Sequence, residues 1–278
     1  MQTDRNIPVH RWLITYLKNG FEVLDQQAQQ EVVEFLTQSQ DKKGGFTDRA
    51  GTPDLYYSLF GSWLAQGVGQ TTLLDNLKEF IKKQNPDKLG VVEQMALLLI
   101  RSDIETDAPE VSAPKLLKLF YRQGKNIHLS YRFFLFTLVF DAIGKRKQFY
   151  YFLARIGLFF YKPKSDFPCS LVAALLYARK KLGLKYDKQK QHILNFALKN
   201  GGFKAFQNVK NADMLSTGVA LFALSETMAD LRLLKPATLG FIQDNFNGGA
   251  FLSGDGDQTC DLEYTFYGLL ALGSLVRD

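Results

Sequence analysis

GGFTDRAGTPDLYYSLFGSWLAQ, residues 44–66, decides how the rest of the chain is read. The glycine pair Gly44-Gly45 permits a tight turn with positive φ, and Phe46 follows it as an apolar plug. Pro53-Asp54 then starts a helix, with the Asp as its cap. The helix predicted over 54–66 is apolar nearly all round: Leu55, Tyr56, Tyr57, Leu59, Phe60, Trp63 and Leu64. A helix apolar on every side is buried on every side. Ahead of the turn, residues 28–39 place Val32, Val33, Phe35 and Leu36 on one face and polar residues opposite, which predicts an amphipathic helix.

The same arrangement recurs along the 278 residues. A small hydroxyl or amide side chain stands near the start of each apolar helix, at Ser58, Gln94, Ser130, Ser170, Thr217 and Thr265. Four residues before each anchor is a helix-capping type: Asp54, Gly90, Asn126, Asp166, Asp213 and Asp261. Apolar helices are predicted near 54–66, 91–101, 127–142, 168–182, 213–225 and 261–275. Amphipathic ones are predicted near 28–39, 71–83, 111–123, 146–160, 188–199 and 235–245. Spacings of 36 to 48 residues between anchors are those of a helix-pair repeat. Six pairs predict an all-α chain in which an outer ring of amphipathic helices surrounds an inner apolar ring. The turns Gly44-Gly45-Phe46, Gly201-Gly202-Phe203 and Gly248-Gly249-Ala250-Phe251 lie in register between the two helix types, which marks them as architecture rather than a phosphate loop. No stretch alternates with period two, so strands are minor or absent.

Composition narrows the function classes. At 46% hydrophobic and 13% aromatic the chain is globular. Its net charge of +6 is a mild excess, and no nucleic-acid partner is expected. Basic clusters such as Lys145-Arg146-Lys147 and Arg179-Lys180-Lys181 read as a solvated face, with attraction to anionic lipid or diphosphate as the alternative. Cys169 and Cys260 show no paired spacing and fit a reducing compartment, and the polar N-terminus lacks a secretory pattern, so a cytoplasmic location is expected. Segment 145–164, KRKQFYYFLARIGLFFYKPK, is too short to span a bilayer. It reads either as the fourth outer helix or as an interfacial helix giving a peripheral membrane contact.

Residues 44–66 and 248–275 resemble the repeats of protein prenyltransferase β subunits, which are related to those of squalene and terpenoid cyclases. The resemblance spans residues 28–278, leaving 1–27 as an N-terminal helical extension of a single domain. It implies a six-fold α/α toroid, with six inner and six outer helices around an aromatic-lined cavity. Members that transfer prenyl groups to proteins hold zinc through an Asp four before the anchor, a Cys two before it and a His one before the next. Here Asp213 matches, but Leu215 and Tyr264 occupy the other two positions, and Lys210 alone echoes the basic residues that precede that Asp. One carboxylate does not make a zinc site, so no metal and no cofactor are expected. Terpenoid cyclases protonate their substrate with the middle acid of an Asp-x-Asp-Asp-Thr motif, which falls here on Asp261-Leu262-Glu263-Tyr264-Thr265. That register makes Glu263 the candidate general acid and Asp261 its partner. By position alone, Glu263 is equally a first-turn carboxylate favoured by the helix dipole. Asp255-Gly256-Asp257-Gln258-Thr259 mimics the motif six residues early and reads as an exposed turn.

The residues just before each anchor are expected to share one mouth of the ring, forming a polar collar that includes Tyr57, Glu93, His128, Cys169, Glu263 and Tyr264. Tyr57, Glu93, His128, Asp213 and Tyr264 are candidate substrate-binding residues there. Deeper on the same helices lie Phe60, Trp63 and Tyr267, also candidate contacts, with Phe134, Tyr177 and Phe222. Aromatic faces stabilise carbocations by roughly 0.5–2 kcal/mol each, but serve equally well as core. The reading is an enzyme that cyclises an isoprenoid or other apolar small molecule by protonation. The alternatives are a non-catalytic lipid or polyprenyl carrier, a scaffold for a helical protein partner, and a prenyl transfer that does not use the usual zinc site.

Overall fold

The computed structural model describes residues 7–104, 112, 114, 116, 118, 129–143, 147–161 and 166–276. It is all-α apart from one two-residue hairpin. The helices are α1 (Val9–Glu22), α2 (Gln26–Gln38), α3 (Leu55–Gly67), α4 (Thr71–Lys82), α5 (Val91–Ile104), α6 (Leu129–Ile143), α7 (Lys147–Phe160), α8 (Cys169–Lys181), α9 (Asp187–Leu194), α10 (Met214–Glu226), α11 (Lys235–Asp244) and α12 (Leu262–Val276). Strands β1 (Phe246–Asn247) and β2 (Ala250–Phe251) pair antiparallel, Phe246 opposite Phe251.

The chain divides into two compact units. The first comprises residues 1–15 and 36–150, the second residues 16–35 and 151–278. In the first unit the apolar helices pack in succession, α3 on α5 and α5 on α6, while amphipathic α4 lies on both α3 and α5. The stripe that α4 buries, Leu73, Leu77, Phe80 and Ile81, is one face of a 3.6-residue period. In the second unit α8 packs on α10 and α10 on α12, with α9 against α8 and α11 against α12. The apolar character of α10 is explained by its burial, from Met214 through Glu226, on nearly every side.

Two expectations need correction. The cap of α8 is Pro168 rather than Asp166, which is exposed; the Cys169 N–H is taken by the Ala205 carbonyl instead. The helix expected over 188–199 ends at Leu194, because Ala197 leaves it to bridge Phe203 and form the next turn. The expected helix over 111–123 lies almost wholly outside the described residues, as do Asn126 and His128; Phe134 belongs to α6, but its side chain is not among those described.

Candidate functional site

Three of the six repeats share one local device, which accounts for their anchor and cap residues. In the first unit, Asp54 Oδ1 accepts the Tyr57 N–H at 2.9 Å and caps α3, and the Ser58 hydroxyl accepts the Phe46 N–H at 2.9 Å. In the second unit, Asp213 accepts from Ser216 N at 2.8 Å, and Thr217 Oγ1 accepts from Phe203 N at 2.9 Å. There too, Asp261 accepts from Tyr264 N at 2.8 Å, and Thr265 Oγ1 accepts from Phe251 N at 3.3 Å. Asp54 and Asp213 also donate their backbone N–H to the carbonyls of Phe46 and Phe203, each at 3.0 Å, and Asp261 bridges Phe251, so turn and helix start are stitched together. The Phe plugs are fully buried at Phe46, Phe203 and Phe251. Two of them lie against helical glycines three residues beyond the anchor, Phe46 on Gly61 and Phe251 on Gly268, where a Cβ would overlap the ring. Gln94 does comparable work with an amide, donating to the carbonyls of Pro86 at 2.7 Å and Leu89 at 2.9 Å. Helix starts expose N–H groups that need acceptors, and these side chains provide them.

With the capping bonds assigned, one carboxyl oxygen is left over. Asp213 Oδ2 is buried without a hydrogen-bond partner. Burial pushes the Asp213 carboxyl above its ordinary 3.8; the Ser216 N–H opposes this and nearby Asp255 adds to it. Tyr267 is buried close by, and its hydroxyl is pushed well above its ordinary range, first by burial and then by the charges of Glu263, Tyr264, Asp213 and Asp261. Tyr267 therefore stays a phenol, a donor rather than a base. Glu263 and Tyr264 are half-buried, and Asp261 is buried. Cys169, wholly buried, has its thiol pushed up by burial and then by Asp213, which makes it inert packing. The second unit thus gathers Asp213, Asp261, Glu263, Tyr264 and Tyr267 at the starts of α10 and α12. Its chemistry is a carboxyl whose burial disfavours the charged form, beside a phenol, in acidic surroundings. Among the described residues, no group of three or more His, Cys, Asp or Glu side chains is placed to hold a metal.

The first unit gathers Tyr57, Phe60, Trp63 and Glu93 differently. Tyr56 meets Tyr57 edge-on at 5.5 Å and Phe60 at 4.9 Å, and Phe60 meets Trp63 at 6.0 Å. Phe60 and Trp63 are 2% and 1% exposed. Glu93 folds back on its own helix start, its carboxylate accepting the Gly90 N–H at 2.7 Å, which is half of a capping box. It also lies close enough to Asp54 to help raise that carboxyl, after the larger effect of burial.

The part played by α1 carries no signature in the repeat pattern. In the first unit His10 Nε2 stands 2.8 Å from Asp103 Oδ1, both side chains buried. His10 Nδ1, the other ring nitrogen, and Asp103 Oδ1 are both buried without a hydrogen-bond partner. Asp103 Oδ2 accepts from Trp63 Nε1 at 2.8 Å, and Val9 N donates to Asp141 at 2.6 Å. In the second unit the Tyr16 hydroxyl donates to Glu226 Oε1 at 2.8 Å, and Lys180 Nζ donates to the other Glu226 oxygen at 2.6 Å. Tyr16 also meets the ring of Phe222 edge-on at 5.1 Å. In both units α1 therefore touches the C-terminal parts of apolar helices, far along them from the capped starts. The available signal was a glycine in each partner, Gly20 and Gly273, where a Cβ would strike the Leu269 and Tyr16 carbonyl oxygens respectively.

Comparison with protein-family models, with curated proteins and with solved structures gives no match.

Proposed function

We propose that the chain is a six-fold α/α toroid that holds a neutral isoprenoid or similarly apolar molecule and starts its cyclisation by protonation, with Asp213 as the acid. The observation that carries this reading is the buried, unpartnered Asp213 Oδ2 beside Tyr267 and Glu263. Burial disfavours the charged form of this carboxyl, and the protonated form it favours is the one a proton donor to an alkene needs. The proton passes from Asp213 to one alkene carbon, and the π pair of a second double bond closes on the resulting cation. A final proton loss restores the neutral product, and the Ser216 N–H supports the carboxylate meanwhile. Reading the sequence put the acid at Glu263; both residues are half-buried, and the choice of Asp213 rests on its buried, unpartnered Oδ2. The surrounding acids repel a diphosphate, which points to a neutral substrate.

Support for ring closure comes from the glycine turns. A Cβ at Gly44 would strike the Asn76 carbonyl in α4, and one at Gly201 the Ala237 carbonyl in α11, each the next amphipathic helix. At Gly249 the carbonyl is that of Glu31 in α2, the helix that opens the series. A second reading, a carrier without chemistry, is favoured by the burial of Phe60 and Trp63 against each other, which leaves those rings to packing.

Incubation of the full chain with squalene, farnesol and farnesyl diphosphate, followed by mass analysis, separates the two. A cyclised product that disappears in Asp213→Asn, with ligand still bound, supports the acid. Unchanged ligand that co-purifies supports the carrier. Product formation undiminished in Asp213→Asn overturns the assignment of the donor, and absence of both product and binding overturns the isoprenoid reading.

A further inference from the structure

Helix α7 carries outward the kind of stripe that α4 carries inward. Phe152, Ile156, Phe159 and Phe160 have the spacing of Leu73, Leu77, Phe80 and Ile81, yet the α7 set is 45 to 75% exposed, and Leu153 beside it is 46% exposed. Three phenylalanines and two aliphatic side chains at such exposure leave apolar surface on the order of 500 Å², near the upper end for a soluble monomer. Tyr151 and Leu158 on the opposite side are half-buried, and the Leu158 carbonyl is held by Arg179 Nη1 at 2.7 Å, so the helix is fastened by its other face.

The sequence of the segment that carries this stripe has charge of one sign. Residues 145–164 contain six basic and no acidic side chains. Arg155 is exposed on the helix itself. In α8, Arg179 donates to the Lys185 and Leu158 carbonyls, and Lys181 lies over the Tyr151 ring at 5.7 Å. The helix is 14 residues long, and no described helix is long and apolar enough to cross a membrane. We infer that the outward face of α7 lies in the surface of an anionic bilayer, its Phe side chains among the acyl chains and its basic flanks at the headgroups. The inference is independent of the chemistry assigned to Asp213.

The test is co-sedimentation of the full chain with vesicles of phosphatidylcholine alone and of phosphatidylcholine with phosphatidylserine. Binding is expected to the anionic vesicles, weakening as salt rises, and to fall about tenfold or more in Phe159→Glu/Phe160→Glu. Both positions are exposed, so thermal melting of the variant is expected to match the parent chain. Phe160→Trp gives a second readout, a blue shift in emission on anionic vesicles beyond that of the parent chain. Equal binding by the double variant, or no shift at position 160, overturns the inference. So does a parent chain that is dimeric by light scattering while the double variant is monomeric, which assigns the face to a second copy.

Discussion

Asp213 has two carboxyl oxygens with opposite effects. Oδ1 caps α10 through Ser216 N, while Oδ2 is buried without a hydrogen-bond partner of good geometry, the Ser216 hydroxyl and Leu215 N–H being the donors nearest in effect. Because the folded carboxyl titrates above its ordinary 3.8, the native state holds its proton more tightly than the unfolded chain does. Below 3.8 both states are protonated and Asp213 is neutral to stability. As pH rises past 3.8 the unfolded chain ionises first, and the native state is progressively disfavoured. Asparagine keeps the capping oxygen without the charge. Asp213→Asn is therefore expected to melt higher than the parent chain at pH 7, with the gap closing near pH 3, in calorimetry at both pH values. An equal gap at both would show that charge burial is not the cause. The two cysteines make a simpler test: under native conditions iodoacetamide is expected to label half-buried Cys260 and leave Cys169 untouched, read by peptide mass. At this scale the sequence was legible where residue types repeat, which is how Asp54, Asp213 and Asp261 came to stand in register. Which of them had a spare oxygen was not legible, since that depends on neighbours such as Asp255 and Tyr267 from other segments.

Helices were read well wherever a cap and an apolar run coincide, as in α3, α10 and α12. The end of one helix was misread where a turn competes, at Ala197, and the cap of another where a proline sets the start, at Pro168. The contact of α1 with α12 lay out of reach, because glycines within helices are ambiguous until the partner backbone is seen. Gly20 and Gly273 let the two backbones meet directly. Alanine at either position has to push them apart, and is expected to cost about 1–3 kcal/mol or more in urea unfolding. Gly157, on α7, meets nothing within 4 Å of an added Cβ. Gly157→Ala is expected to stabilise by roughly 0.5–1 kcal/mol, since only helix propensity changes. A loss at Gly157 comparable to that at Gly273 would show that crowding does not separate the two sites.

Over the whole molecule, the helix outside the repeats has residues in both units, 9–15 in the first and 16–22 in the second. The repeat spacing pointed to helix pairs from residue 28 onward, but α1 precedes the series and has no counterpart to align with. Its polar contacts give it separable roles. His10→Ala removes the buried ring 2.8 Å from wholly buried Asp103 and is expected to cost about 1–3 kcal/mol in urea unfolding. Tyr16→Phe removes one bond to the Glu226 carboxylate, which Lys180 still holds, and is expected to cost about 1–3 kcal/mol. Hydrogen exchange locates each loss. His10→Ala is expected to loosen the end of α5 around Asp103, and Tyr16→Phe the end of α10 around Glu226. A chain beginning at residue 23 is expected to lose protection at both ends and along α12 around Gly273. Protection unchanged at all three in the shortened chain would mean that α1 is an appendage; loss at all three makes it a structural part of each unit, even though no repeat encodes it.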